Sequence, residues 1–151
     1  PKQREQEVSQ QFGAVFVIGI GYPLPISHEA HDTRAADYDD WSTRNDLGGR
    51  GLNGDIIVWS PILKREIELS SMGIRVDAEA MKTQMKIKKR PLEAFHEKVI
   101  GGEYPLTIGG GIGRCRVAMV LLRSKHIAEV QQSVWPDSMI QDFGKNGVDM
   151  L

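Results

Sequence analysis

Asp55-Ile-Ile-Val-Trp-Ser-Pro-Ile-Leu-Lys-Arg-Glu-Ile-Glu-Leu-Ser70 is the stretch from which the fold class follows. Asp55 to Trp59 is a short apolar run rich in β-branched residues, and Ser60-Pro61 turns the chain. Arg65 to Ser70 then alternates polar and apolar, as a half-buried strand does. The two runs predict an antiparallel pair joined by a turn or a longer loop. Ser71-Met-Gly-Ile-Arg-Val-Asp77 continues the second strand, with a bulge expected at its glycine break.

Working outward, Ala14 to Ile20 reads as a buried strand, preceded by a polar, helix-tolerant segment over residues 2–12. Good helix formers fill residues 77–90, with Asp77 as N-cap. Pro91 is expected to open a second helix that Gly101-Gly102 ends, and a third covers residues 112–123. Gly21 to Ala36 and Asn45 to Gly54 read as loops, and residues 137–151 as a loose tail. Strands and helices do not alternate evenly. That argues against a doubly wound parallel sheet and for α+β with antiparallel pairing.

The chain has 151 residues, 40% hydrophobic and 26% charged, with 19 basic and 20 acidic side chains. One soluble domain is the natural reading. A net charge of −1 gives no sign of a general nucleic-acid or membrane binder. The single cysteine, Cys115, excludes an internal disulfide framework and fits a reducing compartment. No apolar signal segment or membrane span is legible. Pro1 in place of methionine suggests processing, or a cut from something longer.

Thr107-Ile-Gly-Gly-Gly-Ile-Gly113 leads into a helix pattern carrying Arg114, Arg116 and Arg123. Glycine lets a ligand approach the backbone, and a helix start offers free N–H groups. The stretch is no P-loop, because no Gly-Lys-Ser/Thr follows, and Arg116 stands where a dinucleotide fingerprint needs its third glycine. A packing turn explains the glycines equally well. Asp55 and Glu68 lie on facing strands and could share a Mg²⁺ ion, though solvated strand-end acids are the commoner case. Ser70, Ser71, Gly73 and Arg75 suit a small polar substrate, with the arginine able to grip a carboxylate. Arg34, Asp37, Asp39 and Asp40 read as a solvated loop. His28, His31 and Asp32 make a weak metal motif, and His96 and His126 read as surface residues.

These residues together resemble the ammonia-dependent asparagine synthetase (aspartate–ammonia ligase) family. The resemblance rests on Gly13–Gly21, His31-Asp32, Asp37-Tyr-Asp-Asp-Trp-Ser-Thr43, Gly51-Leu-Asn-Gly-Asp-Ile56, Glu68–Asp77 and Thr107–Gly113 with Arg116. His126-Ile127 and Val134-Trp-Pro136 extend it. That family is similar to the catalytic domain of class II aminoacyl-tRNA synthetases. The resemblance implies an antiparallel sheet flanked by helices, and ATP-dependent amidation of L-aspartate through β-aspartyl-AMP. It implies Arg116 against adenine and, with Asp39, among the catalytic residues. It implies nucleotide contacts from Asp55, Glu68, Leu69 and Gly111, with Mg²⁺ on Asp55 and Glu68. Substrate contacts fall to Ser71, Arg75, Gly109 and Gly110. It further implies a cytoplasmic enzyme using aspartate and ammonia, without nucleic acid or membrane, and a homodimer in the full-length parent.

Family members continue upstream of residue 1, so residues 1–151 are expected to be the C-terminal portion of one catalytic domain, with one wall of the site absent. Arg114-Cys115, just before Arg116, depart from the uncharged small or polar residues that the family has there. Two other readings stand beside this one: an inactive nucleotide- or aspartate-binding remnant, and a fragment of an aspartyl- or asparaginyl-tRNA synthetase.

Overall fold

The computed structural model describes residues 2–151. Its centre is a four-stranded sheet in the order β1-β2-β3-β4, formed by β1 (Ala14–Ile18), β2 (Asn53–Ser60), β3 (Arg65–Ile74) and β4 (Ile108–Ile112). Every neighbouring pair is antiparallel. The helices are α1 (Lys2–Phe12), α2 (Ala78–Ile87), α3 (Ala94–Ile100), α4 (Arg114–Leu122) and α5 (Asp137–Lys145). The α+β antiparallel expectation therefore holds, with β2 and β3 as the central hairpin.

Several local expectations need correction. The glycine stretch is an edge strand, β4, because its backbone completes a ladder with β3 from Ser70↔Ile112 to Ile74↔Ile108. Pro91 does not open α3, whose N-cap is Glu93; that backbone N–H donates to His96 Nδ1 at 2.9 Å. The tail contains α5, held because Phe143 packs against His126 and Trp135. β3 runs unbroken through Gly73. The register irregularity lies between Ile56 and Ile57 of β2, where Ile56 faces Ser70 but Ile57 faces Glu68, leaving Leu69 as the extra residue.

Alternation gives the sheet two unlike faces. Val17, Asp55, Ser71 and Gly111 are successive partners across all four strands and share one face. Phe16, Ile56, Ser70 and Ile112 form the adjacent row on the other face, which is largely apolar and exposed. A strictly alternating β3 would put Glu68 on that apolar side. The bulged Leu69 brings Glu68 to the Asp55 side, and both line one cavity.

The densest core lies beside the sheet. Ala80, Met81 and Met85 of α2 pack with Ala36 and Val76, and Val99 and Ile100 of α3 close the cluster. Asp77 starts α2 by accepting the Ala80 N–H at 2.8 Å. Asp77→Ala should cost about 1 kcal/mol, measured as a lower urea midpoint; an unchanged midpoint would contradict this cap.

Candidate active site

The loop between β1 and β2 is built into the end of the sheet. The Asp40 N–H donates to Ile74 O, and the Val76 N–H to Tyr38 O. Residues 38–40 thus run as an extra ladder beside the end of β3, with Asp39 bridged to Arg75. Asp39 and Asp40 are buried, which corrects the solvated-loop expectation. Asp40 earns its place by accepting the N–H groups of Ser42 and Thr43. Gln84 of α2 clamps the loop from below. Its amide donates to Ala36 O and Asp39 O, and its oxygen accepts the Trp41 N–H at 2.8 Å.

Arg75 is ion-paired with Asp39, and its guanidinium stands 3.9 Å from the Tyr38 ring centroid. Two glycines make room for the pair. A Cβ at Gly73 would sit 2.8 Å from Asp39 Oδ1, and one at Gly109 3.0 Å from an Arg75 guanidinium nitrogen. Gly73 and Gly109 are themselves partners across β3 and β4. The next row on this face is Asp55, Ser71 and Gly111. A Cβ at Gly111 would meet nothing within 4 Å, so no packing demand explains that glycine. Gly110 points the other way, where a Cβ would strike Met72 Cβ at 2.7 Å. It can serve this face through its backbone alone.

At the far end of the row a cavity of about 420 Å³ is lined by Glu5, His31, Asp55, Ile57, Glu68 and Arg116, among others. Arg116, in the first turn of α4, donates to Glu68 O at 2.9 Å and lies 3.7 Å from Glu68 Oε1. The Leu69 carbonyl accepts the Gly113 N–H at 2.8 Å, tying the bulge to the start of α4. Arg34 reaches Asp55 Oδ2 at 2.5 Å, while Asp55 Oδ1 and Arg34 Nε are buried without partners. Among the described residues no three His, Cys, Asp or Glu side chains converge as a metal cage. Asp55 and Glu68 could still hold a cation that brings waters and phosphate oxygens as its other ligands, the habit of Mg²⁺.

Asp39, Asp55, Glu68, Ser71, Arg75, Gly109, Gly111 and Arg116 thus gather along one face of β2–β4. The model of the aspartate–ammonia ligase family matches residues 1–147. The chain belongs to the aspartate–ammonia ligase family.

Structures similar to this family member include an asparaginyl-tRNA synthetase of Entamoeba histolytica. It is 18% identical with a TM-score of 0.55, the likeness covering 87% of this chain and 27% of that one. An aspartyl-tRNA synthetase of the same organism matches at 18% identity and TM-score 0.55, over 87% of this chain and 25% of its own. The asparaginyl enzyme in complex with asparaginyl-adenylate matches at 16% and 0.55, over 87% and 28%. The fold is therefore that of class II synthetases, and the chain spans about a quarter of the length of those proteins.

Other motifs resolve into structural roles. His31 pairs with Glu5 at 2.7 Å. His96 is buried against Asp37 at 3.2 Å, not at the surface. His126 is partly buried against Trp135 and Phe143. Cys115 is a free thiol within α4. Sequence reasoning missed Gln84 and read Arg34, which pairs with Asp55, only as part of a solvated loop. The signal for Gln84 was available: it shares an i, i+3, i+4 stripe with Ala80 and Met81, a polar residue on an apolar helix face. Nothing local marks Arg34.

Proposed function

We propose that this chain carries the nucleotide and aspartate floor of an enzyme that amidates L-aspartate with ammonia. ATP activates the side-chain carboxylate. A carboxylate oxygen attacks the α-phosphorus, pyrophosphate leaves, and β-aspartyl-AMP forms. Ammonia then attacks the acyl carbon, AMP leaves with the C–O electron pair, and asparagine remains after proton loss. Arg116 lies against the adenine, with Leu69 and Gly111 supplying backbone beside the nucleotide. Asp55 and Glu68 would hold Mg²⁺, which neutralises charge developing on the phosphates.

Ser71, Arg75, Gly109 and the Gly110 backbone receive aspartate. Arg75 grips the carboxylate that does not react. Asp39, beside it, accepts the substrate ammonium. A zwitterion inserted between Asp39 and Arg75 would exchange one ion pair for two, which suits a site whose glycines hold those side chains in place. Residues 1–151 form the C-terminal portion of one catalytic domain, and the rest of a homodimeric, cytoplasmic parent closes the site. No helix among the described residues is long and apolar enough to cross a membrane.

The observation that carries this reading is the row Asp55–Ser71–Gly111, open at Gly111 and flanked by two arginine–carboxylate pairs. Aspartate-dependent exchange of labelled pyrophosphate into ATP tests it, followed by detection of asparagine and AMP once ammonium is added. ATP binding with no aspartate-dependent exchange would favour the nucleotide-binding remnant. Transfer of aspartate to tRNA would favour the synthetase fragment.

A further inference from the structure

We propose that Arg34 is a phosphate-binding residue of this site, parked on Asp55 until a metal-bound phosphate separates the two. The inference rests on the nucleotide reading above and adds a residue to it.

Arg34 comes from the loop between β1 and β2. The root of its side chain lies close to Gly21, where an added Cβ would come within 3.1 Å of Arg34 Cβ. From there it reaches the Asp55 row and makes one short hydrogen bond, 2.5 Å from Nη2 to Oδ2. A guanidinium facing a carboxylate usually closes a two-bond fork. Here the second bond is not made. Arg34 Nε and Asp55 Oδ1 are both buried and both lack a partner. Asp55 is only 5% exposed, yet it lines the cavity shared with Glu68 and Arg116.

The two unsatisfied atoms are of opposite kind. One is a cationic donor and needs an anionic oxygen. The other is an anionic acceptor and needs a cation or a donor. A simple anion would satisfy Arg34 and be repelled by Asp55 and Glu68. A simple cation would satisfy Asp55 and be repelled by Arg34. A phosphate that carries its own divalent cation satisfies both at once. It also repairs the charge balance, because Asp55 gains the metal as Arg34 gains the phosphate. Arg34 would thereby meet the phosphates beside Asp55, as Arg116 stands beside Glu68.

Isothermal titration of the 151-residue chain decides the matter, with Mg·ATP, ATP in chelator, metal-free pyrophosphate and adenosine as probes. Two variants are compared with the wild type, Arg34→Lys and Asp55→Asn, each checked for folding by circular dichroism. Arg34→Lys keeps the charge but loses the fork. It should weaken Mg·ATP about tenfold and leave adenosine unaffected. Asp55→Asn is isosteric and releases Arg34. It should bind metal-free pyrophosphate more tightly than wild type and lose the magnesium dependence of ATP binding. Equal Mg·ATP affinity in wild type and Arg34→Lys overturns the inference while the nucleotide reading survives. Should Arg34→Lys not fold, Asp55→Asn decides alone: retained magnesium dependence with no gain for pyrophosphate overturns it. A wild-type chain that binds neither ATP nor adenosine removes the nucleotide reading and this inference together.

Discussion

Gly111→Val should leave the protein folded and remove its ligand. The position is exposed, lies on the edge strand, and a Cβ there meets no atom within 4 Å. Valine favours strand geometry, and replacing glycine restricts the unfolded chain, so stability should hold or rise by up to about 1 kcal/mol. The added methyls would stand over the row of Ser71 and Asp55, where the nucleotide and aspartate must meet. Misplacing reacting groups by an ångström can cost about 100-fold, and a fall of at least about that size in aspartate-dependent pyrophosphate exchange is expected. Gly110→Ala supplies the contrast. Its Cβ would lie 2.9 Å from Ser71 O as well as against Met72, so it should destabilise the strand pair. Wild-type exchange in Gly111→Val would mean that no ligand uses this floor.

Gln84→Leu should damage the fold severely although it touches no ligand. Gln84 is fully buried, and its amide satisfies the Trp41 N–H and the carbonyls of Ala36 and Asp39. Leucine matches the shape and strands those three backbone groups. Each buried unsatisfied group costs about 1–3 kcal/mol, so a loss of about 3 kcal/mol or more is expected by urea denaturation. The Asp39 loop should loosen as well, visible as changed Trp41 fluorescence below the main transition. A loss under about 1 kcal/mol would show that water replaces the amide without penalty.

Much of this was legible in the chain. The hairpin followed from Asp55–Trp59 and Arg65–Ser70, because a half-buried strand leaves a period of two whatever packs on it. Asp77 announced α2 through capping chemistry that needs only four residues. β4 was not legible as a strand, since Gly109-Gly110-Gly111 has no side chains to alternate; its structure is set by the neighbour it pairs with. The burial of Asp39 and Asp40 was hidden for a similar reason. Their partners, Arg75 and the N–H groups of Ser42 and Thr43, make a charged loop look hydrophilic in one dimension and enclosed in three. α5 was hidden because its anchor, Phe143 on His126 and Trp135, joins residues separated by unpatterned chain.

The extra residue at Leu69 has a consequence for chain length. Ser71 and Glu68 are three positions apart, an odd spacing that a regular ladder would split between the two sides of the sheet. Removing Leu69 would return the pair to regular register, with both polar groups still looking the same way. Adding a residue there would also make the spacing even, but in a regular ladder Glu68 would then face Trp59 instead of Ile57, two positions further from Asp55 along β2. Tolerance to insertions and deletions at this point should therefore be lopsided. A shortened variant should keep its carboxylate in place, and a lengthened one, with every polar residue intact, should not.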